Sequence, residues 1–239
     1  MSLLPNKNLI LLTSALVPNN QGAVSPEERF KQTLESIKSL RKHFPNDYIF
    51  FTDGSSNEIP QEWIQQLHDL KTLDVIAVWN FDSDIQALSS AGRKSETEIV
   101  LLLKSISSLL QNPDLQKIMY SVKRIYKFSA RTFLNDDFDP KEHDHYGKYV
   151  FKKRIGSWLM PTKQAVTTDH LFITRMYSMC PSLIPDYCQT LIKCFETVNK
   201  HGIDTEHAHH QHIDKKYLLE LEKLHCEGIV AGSGATETY

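Results

Sequence analysis

The stretch RIYKFSARTFLNDDFD, residues 124–139, decides how this chain is read. Its pattern predicts a strand, with Lys127, Ser129 and Arg131 at i, i+2 and i+4 on one face. Three carboxylates, Asp136, Asp137 and Asp139, follow at once. Two cations on one face of a mid-chain strand need either an anionic ligand or nearby acids. Working outward, the preceding segments alternate strand and helix. NLILLTSAL (8–16) is a continuous apolar run of strand length, as expected for a strand covered on both faces. SPEERFKQTLESIKSLRKHF opens with a helix-start signature: Ser25 caps, Pro26 suits the first position, and Glu28 completes a capping box. Phe30, Leu34, Ile37 and Leu40 then recur at helical spacing. DYIFFTDGS is a second strand ending in the turn Asp53-Gly54-Ser55. Pro60 to Leu70 reads as a short amphipathic helix, LDVIAVWNF as a third strand, and residues 95–111 as a long helix. The opening stretch is then the fourth strand.

This order predicts an α/β fold, a three-layer sandwich around a mainly parallel central sheet. Ligands in such sheets bind beyond the carboxyl ends of the strands. That places candidate loops at Thr13 to Asn20, Thr52 to Asn57, Phe81 to Lys94, and the acidic run from Asn135. In the second half, LFITRMYSM reads as a strand and PDYCQTLIKCFETVNKHG as a helix ending on Gly202. TEHAHHQHIDKKYLLEL reads as another helix, and LHCEGIVAGSG as a last strand and loop. Without internal repeats or a low-complexity linker, the expectation is one domain over 1–239.

Composition narrows the function. The chain has 239 residues, 41% of them hydrophobic, with a formal net charge of −2. That balance supplies no global field for nucleic acid or an anionic membrane. The runs LILL and IVLLL are far shorter than a membrane span. MSLLPNKNLILL lacks the pattern of a signal peptide. Cys180, Cys188, Cys194 and Cys226 lack CxxC spacing, so reduced thiols and a cytoplasmic location are expected.

FFTDGSS is the first chemical motif, because Asp-Gly-Ser after an apolar strand sets a carboxylate at the mouth of the sheet. It resembles the "DDGS" turn of GT-A glycosyltransferases, with Thr52 in place of the first aspartate and Asp53 matching the second. The resemblance runs in order through about the first 140 residues. IYKFSARTFLND is similar to the "KISGRY" strand of a group of bacterial and phage glycosyltransferase-like proteins, though Ala130 and Thr132 replace its usual Gly and Tyr. TRMYSM, DTEH and EGIVAGSG resemble later landmarks of that group. The resemblance implies a GT-A-like, Rossmann-like fold. Residues 1–140 would form the nucleotide-sugar half and 141–239 the acceptor-side half. It also implies a nucleotide-sugar donor, a glycan or lipid-linked acceptor, and a role in surface polysaccharide synthesis. Thr13 and Asp53 would serve the donor, with Asp53 holding the nucleoside. Glu206, with Asp204 next in line, would be the base that deprotonates the acceptor.

In most GT-A enzymes an Asp-x-Asp at the end of the strand after the long helix holds a divalent cation. Ser129-Ala130-Arg131 stands there instead. Fixed cations can neutralise a diphosphate leaving group, so Lys127 and Arg131, helped by Arg93 or Lys94, are expected to face the phosphates. The alternative is a strand face paired with Asp136, Asp137 or Glu142. A second register makes Asn135-Asp136-Asp137 the ligands of manganese or magnesium. Asp82-Ser83-Asp84 is a literal Asp-x-Asp one strand early, with Asp82 able to face a nucleotide. His207 and His210, like His209 and His212, share helix faces and can bind a metal as i, i+3 pairs, or face solvent. Metal binding there would favour a metal-dependent hydrolase, and a catalytically silent binding module is the third reading. KYVFKKRIGSW reads as an acceptor-side loop or a solvated face, and Trp79 and Trp158 as sugar-stacking or core residues.

Overall fold

The computed structural model describes residues 7–18, 24–70, 73–79, 81–157, 169–229 and 236–239. The chain runs β1 (Leu9–Ser14), α1 (Pro26–His43), β2 (Tyr48–Asp53), α2 (Gln61–Asp69), β3 (Val75–Val78), α3 (Ser83–Ser90), α4 (Lys94–Gln111), α5 (Pro113–Ser121), β4 (Ile125–Ser129) and β5 (Thr132–Leu134). It continues through β6 (Tyr149–Lys152), β7 (Ile155–Gly156), β8 (His170–Leu171), β9 (Met176–Met179), α6 (Ile184–His201), α7 (Thr205–His212), β10 (Leu218–Leu221), β11 (Cys226–Ile229) and β12 (Thr236–Thr238). The central sheet has seven strands in the order β10-β6-β9-β4-β1-β2-β3. Only β9 runs against its neighbours, β4 and β6. Strands from before and after residue 140 thus complete one sheet.

The pleat explains the layers, since successive side chains point to opposite faces. Leu9 and Leu11 pack with Ile99, Leu102 and Ile106 of α4 and with Leu191 and Cys194 of α6. Ile10 and Leu12 pack on the other face with Phe30, Ile37 and Leu40 of α1. That double burial is why β1 carries an unbroken apolar run. At the start of α1, Ser25 Oγ accepts the Glu28 N–H, as the capping signature predicts. Gly202 closes α6 at φ 65°, where a Cβ would be strained. Gly202→Ala is expected to cost about 1 kcal/mol in urea unfolding.

Four expectations are corrected. Residues 124–134 are not one strand: the chain turns at Ala130-Arg131, and β5 leaves the central sheet to pair with β11 in a small antiparallel sheet. The expected loop from Phe81 to Lys94 contains α3, whose N-cap is Asp82. The helix expected over 205–221 stops at His212, and Leu218–Leu221 instead adds an edge strand beside β6. Lys152 ends β6, and beyond it Lys153 and Arg154 pair with Glu222 and Glu220. The acceptor-side loop expected of the basic run is therefore sheet and sheet margin, while Lys153 and Arg154 keep the solvated face that was its alternative, their charge answered from β10 and the residue after it.

Candidate functional site

Parallel register brings three strand ends together. Thr13 of β1 lies beside Thr52 of β2 and Ser129 of β4, and Ser14 lies beside Asp53. Beyond these ends opens a cavity of about 150 Å³, room for a phosphate-sized group. Thr13, Ser14 and Ala15 form its floor, with Gly54 and the turn Ser129-Ala130-Arg131 on either side. Arg29 and Thr33 reach in from α1, and Thr97, Glu98 and Leu101 from α4. Gly54 is tight here, since Leu101 Cδ2 lies 3.2 Å from where its Cβ would be.

The charge at this cavity is dominated by arginine. Arg131 lies against it with Nη1 buried and without a hydrogen-bond partner. Burial, then the nearby charges of Arg29 and Arg175, push its guanidinium down to about 10. Glu98 opposes that repulsion. Arg29 donates from Nε to the Val24 carbonyl at 3.2 Å, which ties the loop after β1 to α1. Arg175 donates from Nη1 to the Ile229 carbonyl at 3.0 Å. A half-buried guanidinium held among like charges is unfavourable unless an anion compensates it, so this arrangement suits an anionic group.

Behind the Glu98 wall lies a second group of charges. Lys127 is fully buried under α4, and its ammonium donates to Glu98 Oε1 at 2.5 Å, Ser129 Oγ at 3.0 Å and the Thr174 carbonyl at 2.7 Å. Glu206, in the first turn of α7, accepts from Thr174 Oγ1 at 3.1 Å. Burial, then the charges of Glu98 and Asp204, raises the Glu206 carboxyl to about 7. The folded protein therefore holds this proton more tightly than the unfolded chain. Its contribution to stability is full below the ordinary value of 4.5 and is lost as pH rises through about 7. Glu206→Gln removes that charge, and at about pH 8 it is expected to unfold roughly 2 kcal/mol harder than the parent. At about pH 4 the difference should vanish. Urea unfolding at the two pH values checks both signs.

The structure assembles Thr13, Ser129 and Arg131 at one cavity and corrects several other expected roles. Asp53 is fully buried, its Oδ2 accepting the Leu16 N–H at 3.0 Å and its Oδ1 the Ser55 N–H at 2.7 Å. It pins two loops rather than offering an acceptor to a nucleoside. Lys127 is consumed by Glu98 and does not line the cavity. Arg93 pairs with Glu96 and bonds Asn199, and Lys94 is exposed at the start of α4, so neither reaches the strand ends. Asp82 caps α3 and, with Asp84, holds Lys104. Trp79 donates its indole N–H to Thr52 Oγ1 at 2.9 Å, and Trp158 lies outside the described residues.

The metal registers fare no better. Asp136 is an exposed partner of Lys42 at 2.5 Å, and Asp137 is exposed beside it in the turn beyond β5. His207 is buried between Asp204 and Ser157, with Nδ1 on Asp204 Oδ1 at 2.5 Å and Nε2 on Ser157 Oγ at 2.8 Å. His209 is equally buried and pushed by burial down to about 4. His210 lies against the rings of His170 and Phe172. Among the described residues no three His, Cys, Asp or Glu side chains converge as metal ligands. Among the described residues Glu98 is the one carboxylate lining the cavity, and Lys127 already holds it. That donor set does not fit a divalent cation.

Arg29 and Glu98 escaped the sequence reading, and Thr174 and Arg175 entered it only within the landmark TRMYSM, without a role. One signal was present: Arg29, Thr33, Ile37 and Leu40 share the inward stripe of α1, an odd place for an arginine without a buried role.

No protein-family model matches the chain, and no curated protein does. Among solved structures the chain is similar to the glycosyltransferase GlyE of Streptococcus pneumoniae TIGR4, at TM-score 0.45 and 12% identity, over 90% of this chain and 46% of that one. The apo form of that enzyme gives TM-score 0.45 and 12% identity, over 90% and 45%. The chain thus spans about half the length of those structures. Among the described residues no helix is long and apolar enough to cross a membrane.

Proposed function

We propose that this protein is a GT-A-like glycosyltransferase whose strand-end cavity takes the diphosphate of a nucleotide-sugar donor. One observation carries the reading: Arg131, with an unpartnered Nη1, lies at the cavity wall within electrostatic reach of Arg29 and Arg175. The resemblance of FFTDGSS and IYKFSARTFLND to glycosyltransferase motifs points the same way, although Asp53 and Lys127 themselves are held by internal partners. In this reading Arg131 and Arg29 take the phosphate oxygens as negative charge develops on the leaving group. They replace the divalent cation, and no metal is required. Glu206 accepts the proton of an acceptor hydroxyl as that oxygen attacks the anomeric carbon, its value near 7 suiting a base at neutral pH. Lys127 holds Glu98, the carboxylate that lines the donor cavity and acts electrostatically on Glu206. The proposed acceptor is a glycan or lipid-linked sugar of surface polysaccharide synthesis, made in the cytoplasm.

The test is a thermal-shift screen against UDP-, GDP-, CMP- and dTDP-sugars, each with and without manganese. A rise with one nucleotide family that manganese does not change is expected. A rise with zinc or manganese alone would favour the hydrolase, and no rise with any nucleotide would favour a silent module.

A further inference from the structure

A second cavity, of about 450 Å³, opens at the opposite end of the sheet, beside the amino end of β4. Tyr120 of α5, Arg124, the turn at Asp144 to Tyr146, and Cys180 line it. Arg124 is 2% exposed. Its Nε donates to Ser178 Oγ at 2.9 Å and its Nη1 to the His145 carbonyl at 2.7 Å, both neutral acceptors. Its Nη2 has no hydrogen-bond partner. Asp144 lies within electrostatic reach but is held by Lys123 at 2.5 Å. His143, which shares Ser178 with Arg124, is pushed by burial down to about 3 and stays neutral. A buried cation with only neutral bonded partners calls for an anion.

Cys180 supplies the candidate. Its Sγ lies 3.1 Å from Ser182 Oγ and takes the backbone N–H groups of Gly147 and Ser182. Burial pushes the thiol up, but these donors and then Arg124 outweigh it, and the net direction is down. The other three cysteines move the opposite way, Cys194 and Cys226 to about 12, each chiefly through burial. Thiolate character and access decide cysteine reactivity; Cys180 is only 5% exposed, and its access is through the cavity it lines beside Arg124.

We propose that Cys180 is a nucleophilic thiol and a site of reversible disulfide exchange with a small carboxylate-bearing disulfide, whose anionic group Arg124 attracts. Its sulfur, having given its proton to solvent, attacks one sulfur of the incoming disulfide. A mixed disulfide forms, the original S–S bond breaks, and the second half leaves as a thiolate. Cys180 is oxidised and the released sulfur reduced. Nothing in this step depends on the glycosyltransferase reading.

The test treats the native protein with dithiobis(nitrobenzoate), which is anionic, and with neutral dithiodipyridine, and maps the modified cysteine by mass spectrometry. Cys180 should react about tenfold or more faster than each of the other three cysteines. Relative to a free-cysteine peptide, it should also favour the anionic reagent. Arg124→Gln should slow Cys180 by about tenfold and Arg124→Lys should restore it. If these variants fold poorly, the two-reagent ratio on the unaltered protein decides alone. Earlier modification of Cys188, or no preference between the reagents, overturns the proposal.

Discussion

Arg131→Ala is expected to lose nucleotide-sugar stabilisation and to lower transfer by about 10²–10³-fold in kcat/KM, the range seen when one transition-state charge donor is removed. The ligand-free protein should melt at the same temperature or higher. That combination follows from the setting of Arg131. Its guanidinium is half-buried, lacks a partner at Nη1, and is repelled by Arg29 and Arg175. A side chain kept for packing or a structural ion pair would, on removal, lower the melting temperature and leave donor binding intact. Arg131→Lys keeps the charge but loses the two-pronged fork, so it should recover only part of the binding. Titration of donor into the two variants, with melting curves of the free proteins, separates the cases. Full donor binding by a well-folded Arg131→Ala protein would end the diphosphate reading.

Asp53→Ala should be the most damaging change to stability, at about 3–5 kcal/mol in urea unfolding near neutral pH. The carboxylate is fully buried and joins the loop after β1 to the turn after β2 through the Leu16 and Ser55 N–H groups. Removing it strands both donors away from water. Asp53→Asn should fall between, because the amide oxygen still accepts one N–H while its own N–H₂ meets the other. Burial raises this carboxyl, opposed by bonds from Ser55, Leu16 and Ser14. Loss of donor binding in Asp53→Asn with stability unchanged would instead mean that the side chain faces the nucleoside.

The α/β plan was readable because its signals are local. The unbroken apolar run of β1, the capping box of α1 and the glycine after α6 each follow from a few adjacent residues. α5 was readable in the same way but passed over: Asn112 accepts from Asp114 and Leu115, and Pro113 opens the helix. The turn at Ala130-Arg131 was not readable. It is held by Ala130 donating to the Thr13 carbonyl at 2.8 Å and by the pairing of β5 with β11, contacts made far along the chain. Strand alternation put Lys127 and Arg131 on one face. The turn sends one beneath α4 and the other to the cavity.

The sequence by itself determined β1 to β4, α1, α2 and α4, their parallel order, and hence which strand ends could meet a ligand, but not α3, α5 or the turn that separates β4 from β5. The tertiary structure alone decided which cations face the cavity. A side chain's charge is written in the sequence, but whether an internal partner neutralises it depends on distance and burial. Glu98 lies twenty-nine residues from Lys127 and silences it at 2.5 Å, while Arg29 and Arg175 converge on Arg131 from α1 and the start of β9.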